Sequence, residues 1–151
     1  MAQTHQFSTF YLDKLMFGVD LEKVQEVIRF LEITQIPLAP RVVSGLMNLR
    51  GQIVMGIDLR RRLDLADRPE DTPPMNVVIR SADGAISLQV DEIGDVVEVT
   101  DESFERPPET LQGKIRDVIL GVHKLDKHLM HVLNTEKACE TAETVASGVD
   151  P

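Results

Sequence analysis

The stretch NLRGQIVMGIDLRRRLDL, residues 48–65, decides how the rest of the chain is read. Gly51 allows a sharp backbone corner directly after Arg50, and residues 52–58 read as a buried strand leaving that corner. Residues 59–65 either continue the strand or make one helical turn that displays Arg60, Arg61 and Arg62. A guanidinium fixed on a tight corner beside a rigid strand suits charge-assisted hydrogen bonds to a carboxylate or amide. That acceptor can lie within the chain, as a salt bridge holding the turn, or on a partner. The corner alone leaves both open.

Upstream, QFSTFYLDKLMFGVD is rich in strand formers, with strands over 7–12 and 15–19 and a tight turn at Asp13-Lys14. The next segment, DLEKVQEVIRFLEITQI, carries two conflicting signals. Leu21, Val24, Val27, Ile28 and Leu31 recur at helical spacing behind a capping Asp20, which predicts a helix over 21–31. Its many β-branched residues suit a strand instead. Pro37 and Pro40 in PLAP interrupt either structure. RVVSGLMNLRG then predicts a short helical turn before the corner.

Downstream, ADRPEDTPP (66–74) is polar, acidic and rich in proline, and reads as a linker. MNVVIRS and AISLQVD flank Ala82-Asp83-Gly84, where Asp-Gly supplies a hairpin turn of positive φ. Residues 93–100 form a further strand, and 101–117, with its paired prolines, an exposed loop. Strands at 118–124 and 128–133 meet at a turn, and Asn134 caps a short helix in TEKACETAE. The pattern describes a mostly β protein with short strands in two groups, divided at the linker.

The chain has 151 residues, 25 of them acidic against 16 basic, for a net charge of −9. That balance opposes non-specific binding to nucleic acid or anionic membrane. A hydrophobic content of 42% supports a packed core, and 4% aromatics mean that aliphatic side chains must build it. No signal peptide or run of about 20 apolar residues is visible, which predicts a soluble cytoplasmic protein. One cysteine, Cys139, excludes an internal disulfide. His123, His128 and His131 are close in sequence, but a strand puts the last two on opposite faces and nothing completes a metal set. They read as solvated strand histidines. Arg60, Arg61 and Arg62 read as a solvated face paired locally with Asp58 or Asp64. No nucleophile elbow, phosphate loop or dinucleotide pattern occurs, so an enzyme is poorly supported and no cofactor is expected.

The corner and its strand resemble the signature of the CheW family of bacterial chemotaxis coupling proteins, in which Asn-Leu-Arg-Gly leads into a strand ending Asp-Leu-Arg. FSTFYLDKLMFGVDLEKVQEVI is similar to the family's opening hairpin and its Val-x-Glu-Val/Ile strand. ITQIPLAPRVVSGLMNLRG, AISLQVDEIGDVVEV and LMHVLNTEKA match further family segments in the same order. The likeness covers residues 7–138. Met55 stands where the family usually has proline, and the tail after Ala138 matches nothing characteristic.

The resemblance implies two small SH3-like five-stranded β-barrels around a shared apolar core, with a short C-terminal helix. It implies a domain over 6–138, with approximate lobes 6–65 and 75–134 and possible strand exchange, then a flexible tail over 139–151. It turns residues 24–30 from helix to strand, after a short turn at 21–23. It implies a non-catalytic adaptor, without metal or cofactor, linking chemoreceptor tips to the regulatory domain of a CheA-type histidine kinase in membrane-associated arrays. The matching partner-binding positions are Val24, Glu26, Gly45, Asn48, Arg50 and Gly51. Two other readings stay open: an adaptor of a non-flagellar chemosensory pathway, or a β-barrel module for another ligand. The kinase's own regulatory domain is also similar, but a methionine just before the first strand favours a free-standing adaptor.

Overall fold

A computed structural model describes residues 3–81 and 84–146. Strands β1 (Thr4–Leu12) and β2 (Leu15–Asp20) form the expected hairpin, with Asp13 at φ 55° in the connection. The Asp20 side chain then accepts the Glu22 N–H at 3.0 Å and starts a single 3-10 turn, Leu21–Lys23. Strand β3 (Val24–Ile28) follows directly, so the helix predicted from spacing over 21–31 does not form. Four of its five residues are half-buried, on both faces, and only Val27 is exposed, which removes the period-two alternation by which a strand is usually recognised. The spacing that remained looked helical.

The second unit continues with β4 (Ile33–Thr34), β5 (Val43–Leu49), β6 (Gln52–Asp58), helix α1 (Leu59–Arg62), β7 (Met75–Ser81) and β8 (Gly84–Val90). The helical turn expected before the corner is strand β5 instead. The Ala82-Asp83 turn falls outside the described residues. The chain then returns through β9 (Glu92–Thr100), β10 (Phe104–Glu105), helix α2 (Lys114–Val118), β11 (Ile119–Lys124), β12 (Leu129–Leu133) and helix α3 (Thr135–Ala146). The segment expected to be one exposed loop thus contains a 3-10 turn, β10 and α2. Helix α3 runs past the boundary expected at 138 and buries Ala138 and Cys139. The tail expected to be flexible from 139 is therefore helical through Ala146.

Two six-stranded sheets result, ordered β10-β11-β12-β2-β1-β9 and β3-β7-β8-β6-β5-β4. Each has one more strand than expected, because the two-residue strands β4 and β10 extend one edge. The first sheet is built from both ends of the chain and the second from its middle. The approximate lobes 6–65 and 75–134 exchange strands: β7 and β8 belong with β3–β6, and β9–β12 with β1 and β2. The reason lies in β6 and β8, which pair in parallel. Parallel neighbours need a crossover, and α1, residues 66–74 and β7 supply it within one sheet. The proline-rich stretch is that crossover, not a boundary between lobes.

Three apolar clusters organise the packing. One lies inside the first sheet (Phe7, Met16, Val99, Met130, Val132) and another inside the second (Met47, Leu49, Val54, Val78, Ala85). Ile28 and Ile33, at opposite edges of the second sheet, pack on the same interior cluster, which shows the sheet curling into a barrel. The largest cluster lies between the barrels and draws on both, with Phe10, Phe17 and Val19 from one and Ile57, Val77 and Leu88 from the other. Phe10 and Phe17 stack there at 5.6 Å and 8°. Such a pair adds about 0.5–1.5 kcal/mol beyond its buried area.

Candidate functional site

The β5–β6 hairpin builds the corner. Leu49 pairs with Gln52, leaving Arg50 and Gly51 as a two-residue connection with φ of 52° and 88°. Positive φ at both positions is the turn whose twist matches that of paired strands. Gly51 is needed for conformation alone, since a Cβ there would meet nothing within 4 Å. The Asn48 side chain accepts the Gly51 N–H at 2.8 Å and closes the turn from its own strand. Arg50 holds its left-handed conformation without glycine's freedom, at a cost of about 1–2 kcal/mol.

The Arg50 guanidinium donates to the Glu26 carboxylate of β3. Beside it, Gln25 Nε2 donates to Gln52 Oε1 at 3.3 Å. Together the two contacts join strand β3 to the hairpin tip across the mouth of the second barrel. The Arg50 side chain is nevertheless 69% exposed, whereas that of Glu26 is 26% exposed. The arginine is therefore oriented by an internal carboxylate while most of its surface faces solvent. An exposed pair of this kind contributes about 0–1 kcal/mol, too little to explain the corner as a stabilising device.

Four of the six expected site residues meet here: Glu26, Asn48, Arg50 and Gly51. Val24 and Gly45 lie in the scaffold behind them. Val24 is half-buried against the inter-barrel cluster. The exposed apolar residues on the two strands that frame the corner are Ile53, 62% exposed and paired with Asn48, and Val27 on β3. Gly45 has a packing reason: a Cβ there would lie 2.4 Å from the Thr34 carbonyl oxygen and 2.6 Å from Ile33 Cγ2. Strand β4 crosses too closely for any side chain. Nothing in the sequence marks Gln25, Gln52 or Ile53, because their role depends on barrel closure.

The other candidates resolve differently. His123 and His131 are buried, not solvated. His123 shares a 2.8 Å hydrogen bond with Ser103 Oγ, and a ring nitrogen of His131 lies 2.8 Å from the Met16 carbonyl oxygen. Burial, and then the neighbouring His5, push the His123 pKa below the usual histidine value, with Asp101 opposing. Among the described residues no group of three or more His, Cys, Asp or Glu side chains could hold a metal ion. The arginines are not one solvated face. Arg61 pairs with Asp67 at 3.1 Å and Asp58 at 3.6 Å, Arg62 donates to the Lys137 carbonyl at 2.7 Å, and Arg60 is buried against Asp91.

Two curled barrels on a common core, with an oriented arginine on a hairpin tip, define a rigid binding scaffold. The sequence pattern of the CheW-like domain matches residues 6–143, and the chain belongs to that family. The "Chemotaxis protein CheW" of Treponema pallidum is 28% identical over 91% of this chain and 84% of its own. That of Klebsiella aerogenes is 28% identical over 91% and 83%. The crystal structure of the scaffolding protein TtCheW from Thermoanaerobacter tengcongensis superposes with a TM-score of 0.78 and 26% identity, covering 87% of this chain and 89% of that one. The expected SH3-like double barrel is therefore the fold of the protein. Among the described residues, no helix is long and apolar enough to cross a membrane.

Proposed function

We propose that the protein couples chemoreceptor tips to the regulatory domain of a CheA-type histidine kinase, and that the Arg50 corner forms part of its contact surface. As a member of its family the protein is a chemotaxis scaffold and not an enzyme. One observation carries the assignment of the surface: Arg50 is pointed by Glu26 yet left largely in solvent. Its remaining N–H donors can reach a partner carboxylate or carbonyl without reorganising the turn, because the backbone and Asn48 already fix it. Asn48 and Ile53 would flank that contact with a polar and an apolar group. Gly51 permits the corner, while Val24 and Gly45 hold the strands behind it. The protein would act in the cytoplasm at receptor arrays, where several modest contacts add to a stable assembly.

A charge reversal separates contact from structure. The variants are Arg50→Glu, Glu26→Arg and the two combined, titrated calorimetrically with the kinase regulatory domain and with a receptor-tip fragment. If the guanidinium touches a partner, Arg50→Glu abolishes binding to that partner and the double variant stays defective. Recovery of binding in the double variant would make the pair purely structural and sink the assignment.

A further inference from the structure

The three arginines of α1 have separate tasks, and Arg60 has its task at the joint between the barrels. Its side chain is 11% exposed and faces Asp91, the residue at which the chain passes from β8 in one barrel to β9 in the other. Arg60 Nε lies 2.9 and 3.1 Å from the two carboxylate oxygens, and Nη2 lies 2.5 Å from Oδ2. Arg60 Nη1 also donates to the Ala66 carbonyl at 3.0 Å. From the crossover, Arg68 Nε donates to Asp91 Oδ1 at 2.9 Å. From the first barrel, the Asp13 N–H donates to Asp91 Oδ2 at 2.6 Å, and the Asp91 N–H donates to the Tyr11 carbonyl at 3.1 Å. One carboxylate therefore ties the β1–β2 hairpin of the first barrel to α1 and the crossover of the second.

We propose that Asp91 is a positioning residue whose carboxylate, gripped by Arg60, Arg68 and the Asp13 backbone, fixes the angle between the two barrels. The chain passes between the barrels at the Leu21–Lys23 turn and at Asp91, and two such crossings leave one axis of rotation. The apolar cluster between the barrels holds them together, but apolar burial has no preferred direction. Hydrogen bonds to a carboxylate do have direction, and this set bridges the axis. Burial alone would raise the Asp91 pKa. The hydrogen bonds from Arg60, Asp13 and Arg68 outweigh it and hold the carboxyl below its usual range, so the grip persists at neutral pH. The Arg62 contact to the Lys137 carbonyl of α3, which follows the last strand of the first barrel, is a second tie across the same joint.

The consequence for signalling rests on the adaptor reading above; the joint itself does not. Where receptor and kinase contact different barrels, this joint sets the angle at which the adaptor presents them. The test places spin labels on the full-length chain at Glu32→Cys and Lys127→Cys, one on each barrel, with the buried Cys139 left in place. Pulsed electron–electron distance measurements should give a single narrow distribution, broadened in Asp91→Asn and less so in Arg68→Met. If Asp91→Asn does not fold, Arg68→Met carries the same test. An unchanged distribution in a folded variant overturns the proposal. In binding assays each variant should hold either partner alone within about threefold of the parent, while three-component assembly falls by about tenfold. Equal losses in both assays would also overturn it. If the parent protein bound neither partner, the adaptor reading would fail while the distance measurement still judged the joint.

Discussion

In the β5–β6 hairpin, two glycines six residues apart are needed for different physical reasons, and substitution separates them. Gly51→Ala forces a side chain into a φ of 88° with open space around it, and should cost about 1 kcal/mol. Gly45→Ala drives a Cβ into the Thr34 carbonyl, and should cost about 2–3 kcal/mol as β4 is pushed from β5. Urea denaturation of the two variants should rank them in that order; equal effects would refute the packing reason given for Gly45. Arg50→Glu should change stability by no more than about 1 kcal/mol, because its ion pair is exposed. A larger loss in the same experiment would favour a structural bridge over a partner contact. The corner was legible in the sequence because Asn48, Arg50 and Gly51 act within one hairpin. Glu26 as the partner of Arg50 was not, since 24 residues separate them and only barrel closure brings them together.

Among the elements, β3 shows where periodicity misleads. Leu21, Val24, Val27, Ile28 and Leu31 repeat at helical spacing, yet β3 forms because β7 supplies a ladder for its β-branched residues. The family resemblance, and not the pattern, gave the right element. The histidines failed for a related reason: strand position predicts alternation, but not whether a neighbouring segment covers the ring. Phe104 of β10 sits edge-on to His123 at 5.2 Å and Phe7 lies 5.6 Å away, so the ring is enclosed. Because the His123 pKa is depressed in the folded state, the unfolded chain takes up this proton first as pH falls. Its contribution to stability is full above the ordinary histidine value of about 6.5 and is lost as pH drops through the lower, folded value. Thermal melts should therefore show Tm falling as pH drops below the ordinary histidine value, with a shallower slope in His123→Phe. Identical slopes would mean that another group controls the acid response.

For the molecule as a whole, the sequence revealed two groups of strands but left open which strands the two barrels exchange. Proline-rich composition marks a break in regular structure, and says nothing about which strands pair across it. Only the parallel registers of β6 with β8 and of β12 with β2 settle that. Because the largest apolar cluster draws on both barrels, they should unfold together. Phe17→Ala, which truncates a fully buried ring there, should cost about 3–5 kcal/mol and keep one coincident transition by every probe. Separate transitions for the two barrels would contradict a shared core. The central claim, that this rigid double barrel bridges receptor and kinase through the Arg50 corner, is tested most directly by sedimentation. Receptor-bearing membrane vesicles are spun with kinase, with or without the protein. Kinase should pellet with receptor only when the protein is present, and should stay in solution when folded Arg50→Glu replaces it. Kinase that pellets equally well with Arg50→Glu, or that never pellets with the folded parent protein, would contradict it.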